Sequence, residues 1–509
     1  MKHIMIIKNI FYSTLEEQLL VKILKSILIV LILSVGIYAQ KTRTESMGGL
    51  TYSIIDREQS LTPYDFGGNP AWLYMDEKAT FLRITPYLGN SWGAYRNKYD
   101  SEGNINIGTA FHGIKTLGTL GTFSGYTSYN YENRRNYYRS LKKDPYNGEA
   151  FYFADTTSSD FRYMGPKVVL MYSWEPLDKL YAGGFISYEL LDGLKEKFSY
   201  AKTIYRNTEA DAGLAYYLFD NLIVAGNFRY FDSQESIEAS DVNLFDVELY
   251  YFRGDHFFVS KRGSSMTGKI RKTGFTMSSQ LYWDDGNKLS IGLQANYTPS
   301  NSKLLRAYYS SSTSQSFSEG EDSYTSFENF DVQIKSQYKY NDNLLLGAYA
   351  GYFHNNSWSK ITLKDLLIWK WDSKQFVAGI GGSYIISNTL LCGLEYEISK
   401  CNSDSSKFID NINPSLSSLD YLVRTGIEYK LGNEIFVRAG FNFGKKQNDI
   451  MYGGKDCKIF RSTFGLGFPL SDVINIITGI QYLQVSPSNF SNVSRNYLNG
   501  FISIELKTF

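Results

Sequence analysis

Residues 330–343 read Phe-Asp-Val-Gln-Ile-Lys-Ser-Gln-Tyr-Lys-Tyr-Asn-Asp-Asn. Phe330, Val332, Ile334, Ser336, Tyr338 and Tyr340 alternate with Asp331, Gln333, Lys335, Gln337 and Lys339. Successive strand side chains point to opposite faces, so this stretch is a β-strand with one apolar and one polar face. Asn and Asp tolerate tight backbone, so the chain reverses at 341–343. The pattern recurs. Leu419, Tyr421, Val423, Thr425, Ile427 and Tyr429 alternate with Asp420, Leu422, Arg424, Gly426 and Glu428. Ile435 to Phe443 and Leu289 to Tyr297 alternate in the same way.

Short polar turns separate such stretches at 117–121, 175–179, 219–221, 283–288, 340–343, 387–388, 431–434 and 469–472. Between the hairpins lie longer polar segments at 132–160, 231–270, 299–328, 400–417 and 485–496. Backbone groups in lipid must be paired internally, so strands cross a membrane only as a closed barrel. The expected fold is therefore all-β: a transmembrane antiparallel up-and-down β-barrel with short periplasmic turns and long external loops. Counted from Thr80–Tyr87 to Tyr497–Phe509, the strands number about eighteen, within a range of about 14–18. Segment 244–260 is expected to extend a hairpin into an external loop.

The composition fits two opposite faces. Among 509 residues, 42 are Tyr, 33 Phe and 43 Gly, yet mean hydropathy is -0.28. Amphipathic rings favour the headgroup level, which accounts for the aromatic excess as two girdles. With 52 Lys+Arg against 51 Asp+Glu, no global charge points to nucleic acid. Three cysteines make no disulfide framework, although Cys401 and Cys457 could bridge and Cys392 would then stay free.

The one continuous apolar run, Ser26 to Ala39, follows Lys22 and Lys25 and ends on a small residue. It is shorter than the roughly 20 residues of a spanning helix and has the parts of a secretory signal peptide. The expected division is a signal peptide at 1–39, an N-terminal plug or periplasmic segment at 40–78 and a barrel at 79–509. Translation is expected to begin near Val21. Localisation follows as the outer membrane of a Gram-negative cell.

Asp65-Phe-Gly-Gly-Asn-Pro-Ala-Trp-Leu73 precedes the first strand. Asn-Pro-Ala and an apolar residue at this place resemble the long-chain fatty-acid transport porin family. Similar openings occur in outer-membrane barrels of Bacteroidetes-type bacteria, including type IX secretion components. The resemblance implies that Asn69, Pro70, Ala71 and Trp72 belong to a plug inside the lumen. It covers residues 65–73 and general architecture. This chain departs from the family in its larger strand count and in Trp72, where Gly is common. A plain turn at Gly67–Pro70 is the competing reading. The terminal Phe509 resembles the signal read by the barrel assembly machinery, but Ile502, Ile504 and Leu506 share the opposite phase.

Inward phases carry Arg229, Asp331, Lys335, Lys339, Glu395, Asp420, Arg424, Glu428 and Arg438, the lumen-lining candidates, with Glu209, Asp211 and Glu397 beside them. Charges of mixed sign can line an aqueous path or form a stiffening ion-pair lattice. For catalysis the mature chain offers only His112, His256 and His354 as near-neutral bases. Asp284-Asp285 sits in a turn, and Arg253-Gly-Asp255 is a tripeptide that chance supplies easily. No catalytic, cofactor-binding or metal residue is assigned, and an enzyme is not expected.

The expected function is a channel or transporter moving small solutes through a polar, plugged lumen. The alternatives are a non-transporting barrel that anchors a secretion or surface complex, and a barrel hydrolase. Expected partners are outer-membrane lipids, the assembly machinery during biogenesis, and a small solute or a protein.

Overall fold

The computed structural model describes residues 68–506, apart from 76–79, 98–99, 145–147, 150, 198–199, 241–248, 254–257, 262–264, 309–315, 318–322, 363–364, 410, 433–434, 450–451 and 472. The signal peptide, the start near Val21, most of the 40–78 segment, His256 and Phe509 lie outside the described residues.

A single turn of helix, α1 (Trp72–Met75), precedes the strands. The first seven strands are β1 (Phe81–Trp92), β2 (Gly103–Thr116), β3 (Thr122–Ser140), β4 (Phe151–Leu177), β5 (Leu180–Lys195), β6 (Lys202–Phe219) and β7 (Leu222–Ser240). Next come β8 (Leu249–Arg253), β9 (Phe258–Lys261), β10 (Ser265–Asp284), β11 (Leu289–Tyr308), β12 (Ser316–Phe317), β13 (Ser323–Asn341) and β14 (Leu344–Ile361). The chain continues through β15 (Leu366–Ser387), β16 (Leu390–Lys407), β17 (Ser415–Leu431), β18 (Ile435–Asn448), β19 (Lys455–Pro469), β20 (Ile474–Ser486) and β21 (Arg495–Leu506).

Eighteen of these make one closed antiparallel wall, as the alternation requires. Each wall strand pairs with the next, and β21 returns to β1 from Leu82↔Leu506 to Trp92↔Asn496. Closure leaves no unpaired edge for lipid to meet. Outside the wall, β8 and β9 form a hairpin that pairs with the start of β4, Phe151↔Arg253, and β12 adds to β11. The hairpin within 244–260 was expected.

Strand length was not. Wall strands run from 12 to 27 residues, well beyond the ten or so that cross lipid. Much of the segments expected as external loop at 132–160, 299–328 and 400–417 is therefore wall: β3 continues to Ser140, β11 to Tyr308, β16 to Lys407, and β17 begins at Ser415.

The side chains show why the wall can continue. On β7, the outward row begins Val224, Phe228, Tyr230 and then turns polar at Asp232, Gln234 and Glu238. Past Ile223 and Ala225, which meet the N-terminal segment, the inward row carries Asn227 and Arg229 and then Phe231, Ile237 and Ala239, with Ser233 and Glu235 between them. On β10, outward Leu281 and Met277 are succeeded by Arg271 and Lys269, while inward Gln280 is succeeded by Ile270. The faces invert where the wall leaves the bilayer. Below that level the apolar face meets lipid, with Leu170, Ile186, Leu214, Ile334, Ile380 and Leu394 in the middle. Exposed Tyr216, Tyr338 and Tyr384 mark the short-turn side of the belt, and Tyr129, Tyr188 and Tyr297 the other side. Beyond it, the strands form a collar with a water-facing exterior and an apolar interior.

Candidate functional site in the barrel lumen

The segment ahead of β1 packs against the inner wall near the short-turn end. Asn69 Nδ2 lies 3.1 Å from the carbonyl oxygens of Leu214 and Gly226 and 3.2 Å from Gln280 Oε1. Asn69 Oδ1 accepts from the Ala71 amide at 2.9 Å, which closes a local turn before α1. Ser173 Oγ donates to the Ala71 carbonyl at 3.0 Å. Ala71 and Trp72 are buried against Ala215, Ile223, Ala225 and Tyr282. The wall is glycine where the segment touches it. A Cβ on Gly183 would stand 2.4 Å from the Pro70 carbonyl carbon, and one on Gly213 only 1.9 Å from Asn69 Oδ1. Either side chain would push the segment off.

Arg229 completes this contact. Its Nη2 donates to the Gly68 carbonyl at 3.1 Å while Nε pairs with Asp211 at 2.9 Å. Asn227 Nδ2 also donates to Asp211, at 2.9 Å, and Gln280 Nε2 to Asn227 Oδ1 at 2.8 Å. The sequence marked Arg229 and the Asn69–Trp72 group separately; the fold brings them together across β5, β6, β7 and β10.

A second group of the sequence candidates meets on β16, β17 and β18. Arg424 Nη2 bonds Glu397 at 2.5 Å and its Nη1 stands 3.5 Å from Glu395. Arg438 Nε donates to Glu428 at 2.7 Å. Glu395 and Glu428 are each 1% exposed. These are buried ion pairs, in which the attraction must offset desolvation of both partners. Lys335 shares their level, reaching Glu397 in register through Tyr349 and Gly379.

The remaining candidates are dispersed. Asp331 accepts from Asn296 at 2.9 Å and from Gln333 at 3.3 Å. Asp420 accepts from the Gln447 amide at 3.1 Å on the collar side. Lys339 lies at the short-turn rim, half exposed and paired with Asp342 at 2.9 Å. Ser124 Oγ is 3.4 Å from the inward His112 Nε2, whereas the Asp372 carboxylate, 2.8 Å away, belongs to the outward His354. Cys392, Cys401 and Cys457 are free thiols, so Cys401 and Cys457 do not bridge.

Sequence reasoning missed one feature. The connection between β3 and β4, read as external loop, folds into the collar. Leu141, Phe151 and Phe153 join Ile237, Ile270, Leu304, Ile361 and Ile368 in one buried cluster. Gly148 faces the rings of Phe327 on β13 and Trp371 on β15. From β4 to β15 the wall runs through β5, β6, β7, β10, β11, β13 and β14, nearly half the ring, so Leu141, hydrogen-bonded to Phe153 on β4, and Gly148 lie against opposite sides of the collar. The lumen was expected to be polar; its collar end also holds an apolar core.

Charges are buried with that core. Lys142 and Glu149 pair closely, Lys195 Nζ meets Asp155 at 2.6 Å, and Lys143 Nζ lies 3.3 Å from Glu189. Glu235 Oε1 accepts from the Lys143 backbone amide at 2.7 Å. Along the wall Glu235 lies in register between Tyr205 and Ile270. Burial pushes its carboxyl up to about 7, even with Lys142, Lys143 and Arg134 nearby drawing it down.

No family model matches the chain, and no curated protein matches it. Solved structures do. The CymD monoaromatic hydrocarbon channel is 11% identical over 91% of this chain and 98% of its own, with a TM-score of 0.35. A FadL homologue from Pseudomonas aeruginosa is 10% identical over 94% and 100%, at 0.35. The ferric-catecholate import receptor Fiu from E. coli K12 is 8% identical over 84% and 81%, at 0.47.

Proposed function

We propose that the chain is an outer-membrane channel or transporter that moves small solutes through its lumen, with the 40–78 segment as a plug. The observation that carries this reading is the fit of Asn69–Trp72 to the inner wall. Gly183 and Gly213 leave room for it, Gln280 and two wall carbonyls bind Asn69, and Arg229 holds Gly68. A wall that merely anchors other proteins has no need of a cradle shaped for its own N-terminus. Short turns would face the periplasm, where a plug entering ahead of β1 must arrive, and the collar would face outward. Planar-bilayer conductance with and without residues 40–75 tests the reading.

One observation favours a second reading. The collar, with its polar exterior and the β8–β9 hairpin, offers a surface beyond the bilayer to a protein partner of a secretion or surface complex. Capture of a defined partner that is lost on removing that hairpin, from a barrel that never conducts, would favour it.

A further inference from the structure

We propose that the Leu141–Asp144 strap is a gate on the inner wall of the collar, and that the protonation of Glu235 sets whether it docks. Glu235 lies on the inward row of β7 at the level where that row has become apolar. Ile270 flanks it on β10 and Tyr205 on β6. The strap covers it, with the Lys143 amide donating to Oε1 at 2.7 Å. Strap and wall are further joined by Leu141 in the apolar cluster, by Lys143 Nζ to Glu189 and over the Tyr205 ring at 3.9 Å, and by the Tyr137 hydroxyl to the Lys142 carbonyl at 2.9 Å. The groups facing Glu235 are Lys142 and Lys143 from the strap, Arg134 and Tyr137 from β3, Tyr163 from β4 and Tyr205 from β6. With the strap displaced, the carboxyl meets water and titrates in the usual carboxylate range.

The direction of control follows by linkage. With the strap docked, burial holds the Glu235 carboxyl at about 7, against the pull of Lys142, Lys143 and Arg134. A raised group stabilises the docked state fully below its undocked value, and that contribution is lost as pH rises through the docked value. The strap therefore docks most firmly in acid and is released as pH rises above about 7. The inference depends on the transport reading only for its consequence, passage of solute, because docking itself can be read without transport.

The test uses the full chain in lipid vesicles, with Cys392, Cys401 and Cys457 changed to Ala and Leu141→Cys as the reporter. A membrane-impermeant maleimide is applied at mildly acidic and mildly alkaline pH, to proteins with Glu235 or Glu235→Gln. The ratio of their rates at each pH cancels the thiol's own titration. At alkaline pH the Glu235 protein should label at least about tenfold faster, the effect of one pKa unit; in acid the two should match. Equal rates at both values, or faster labelling of Glu235→Gln, overturn the proposal. Should Leu141→Cys fail to fold, trypsin cleavage after Lys142 or Lys143 in the otherwise native chain replaces it at alkaline pH. Native protein should then be cut faster than Glu235→Gln, and equal cutting overturns the proposal. Conductance separates the two readings. Labelling as expected without current leaves the gate and removes transport, whereas current with labelling indifferent to Glu235 leaves transport and removes the gate.

Discussion

At the scale of single residues, the buried charges carry the sharpest expectations. Arg438 and Glu428 lie behind the wall surface, and removing one partner strands the other in a poorly solvated place. Arg438→Met alone should destabilise the folded barrel by about 3 kcal/mol, whereas Arg438→Met with Glu428→Leu should recover most of that loss. Denaturant unfolding in lipid vesicles decides it, and a single variant as stable as the double one contradicts the burial. Gly213→Val should release the N-terminal segment without disturbing the wall, because its new methyl groups fall on Asn69. Proteolysis within 68–75 should rise while the folded band on a gel keeps its mobility. The resemblance singled out Asn69–Trp72, and inward phase singled out Arg229. It could not join them, since 157 or more residues separate Asn69 from its acceptors on β7 and β10. Glu235 escaped because it lies in a segment read as loop, where a carboxylate draws no notice.

At the scale of the strand, alternation was enough to define the wall and its lipid face. Strand length was not legible, for a physical reason. Beyond the bilayer the outward row becomes polar, so the apolar period that identified each strand disappears while its backbone ladder continues. The clue was the phase: in β7, Phe231, Ile237 and Ala239 fall on the face that carried Asn227 and Arg229 below. The inversion makes a prediction about β10. Met277→Arg, on the lipid face and as far from its strand end as Ile334 and Ile380 are from theirs, should cost about 2–4 kcal/mol, as arginine does near the midplane. Thr273→Arg, on the same face in the collar, should change stability by no more than about 0.5 kcal/mol. Folding yield into vesicles distinguishes them, and equal effects would place the inversion elsewhere.

At the scale of the whole molecule, the barrel is two structures end to end. A membrane barrel with apolar exterior and ion-paired interior is continuous with a collar built like a water-soluble β-protein. Each has a segment of chain packed inside it: Asn69–Trp72 near the short turns, and the β3–β4 connection at the far end. Neither segment shows in composition, because both are short and polar on average. The account's central claim is that the N-terminal segment blocks a path for solute, and planar-bilayer conductance tests it most directly. The intact protein should pass little steady current, and the protein lacking residues 40–75 should open steady channels that also admit labelled small solutes into vesicles. If the shortened protein folds and inserts yet neither conducts nor admits solute, the lumen is not a path and the claim is wrong.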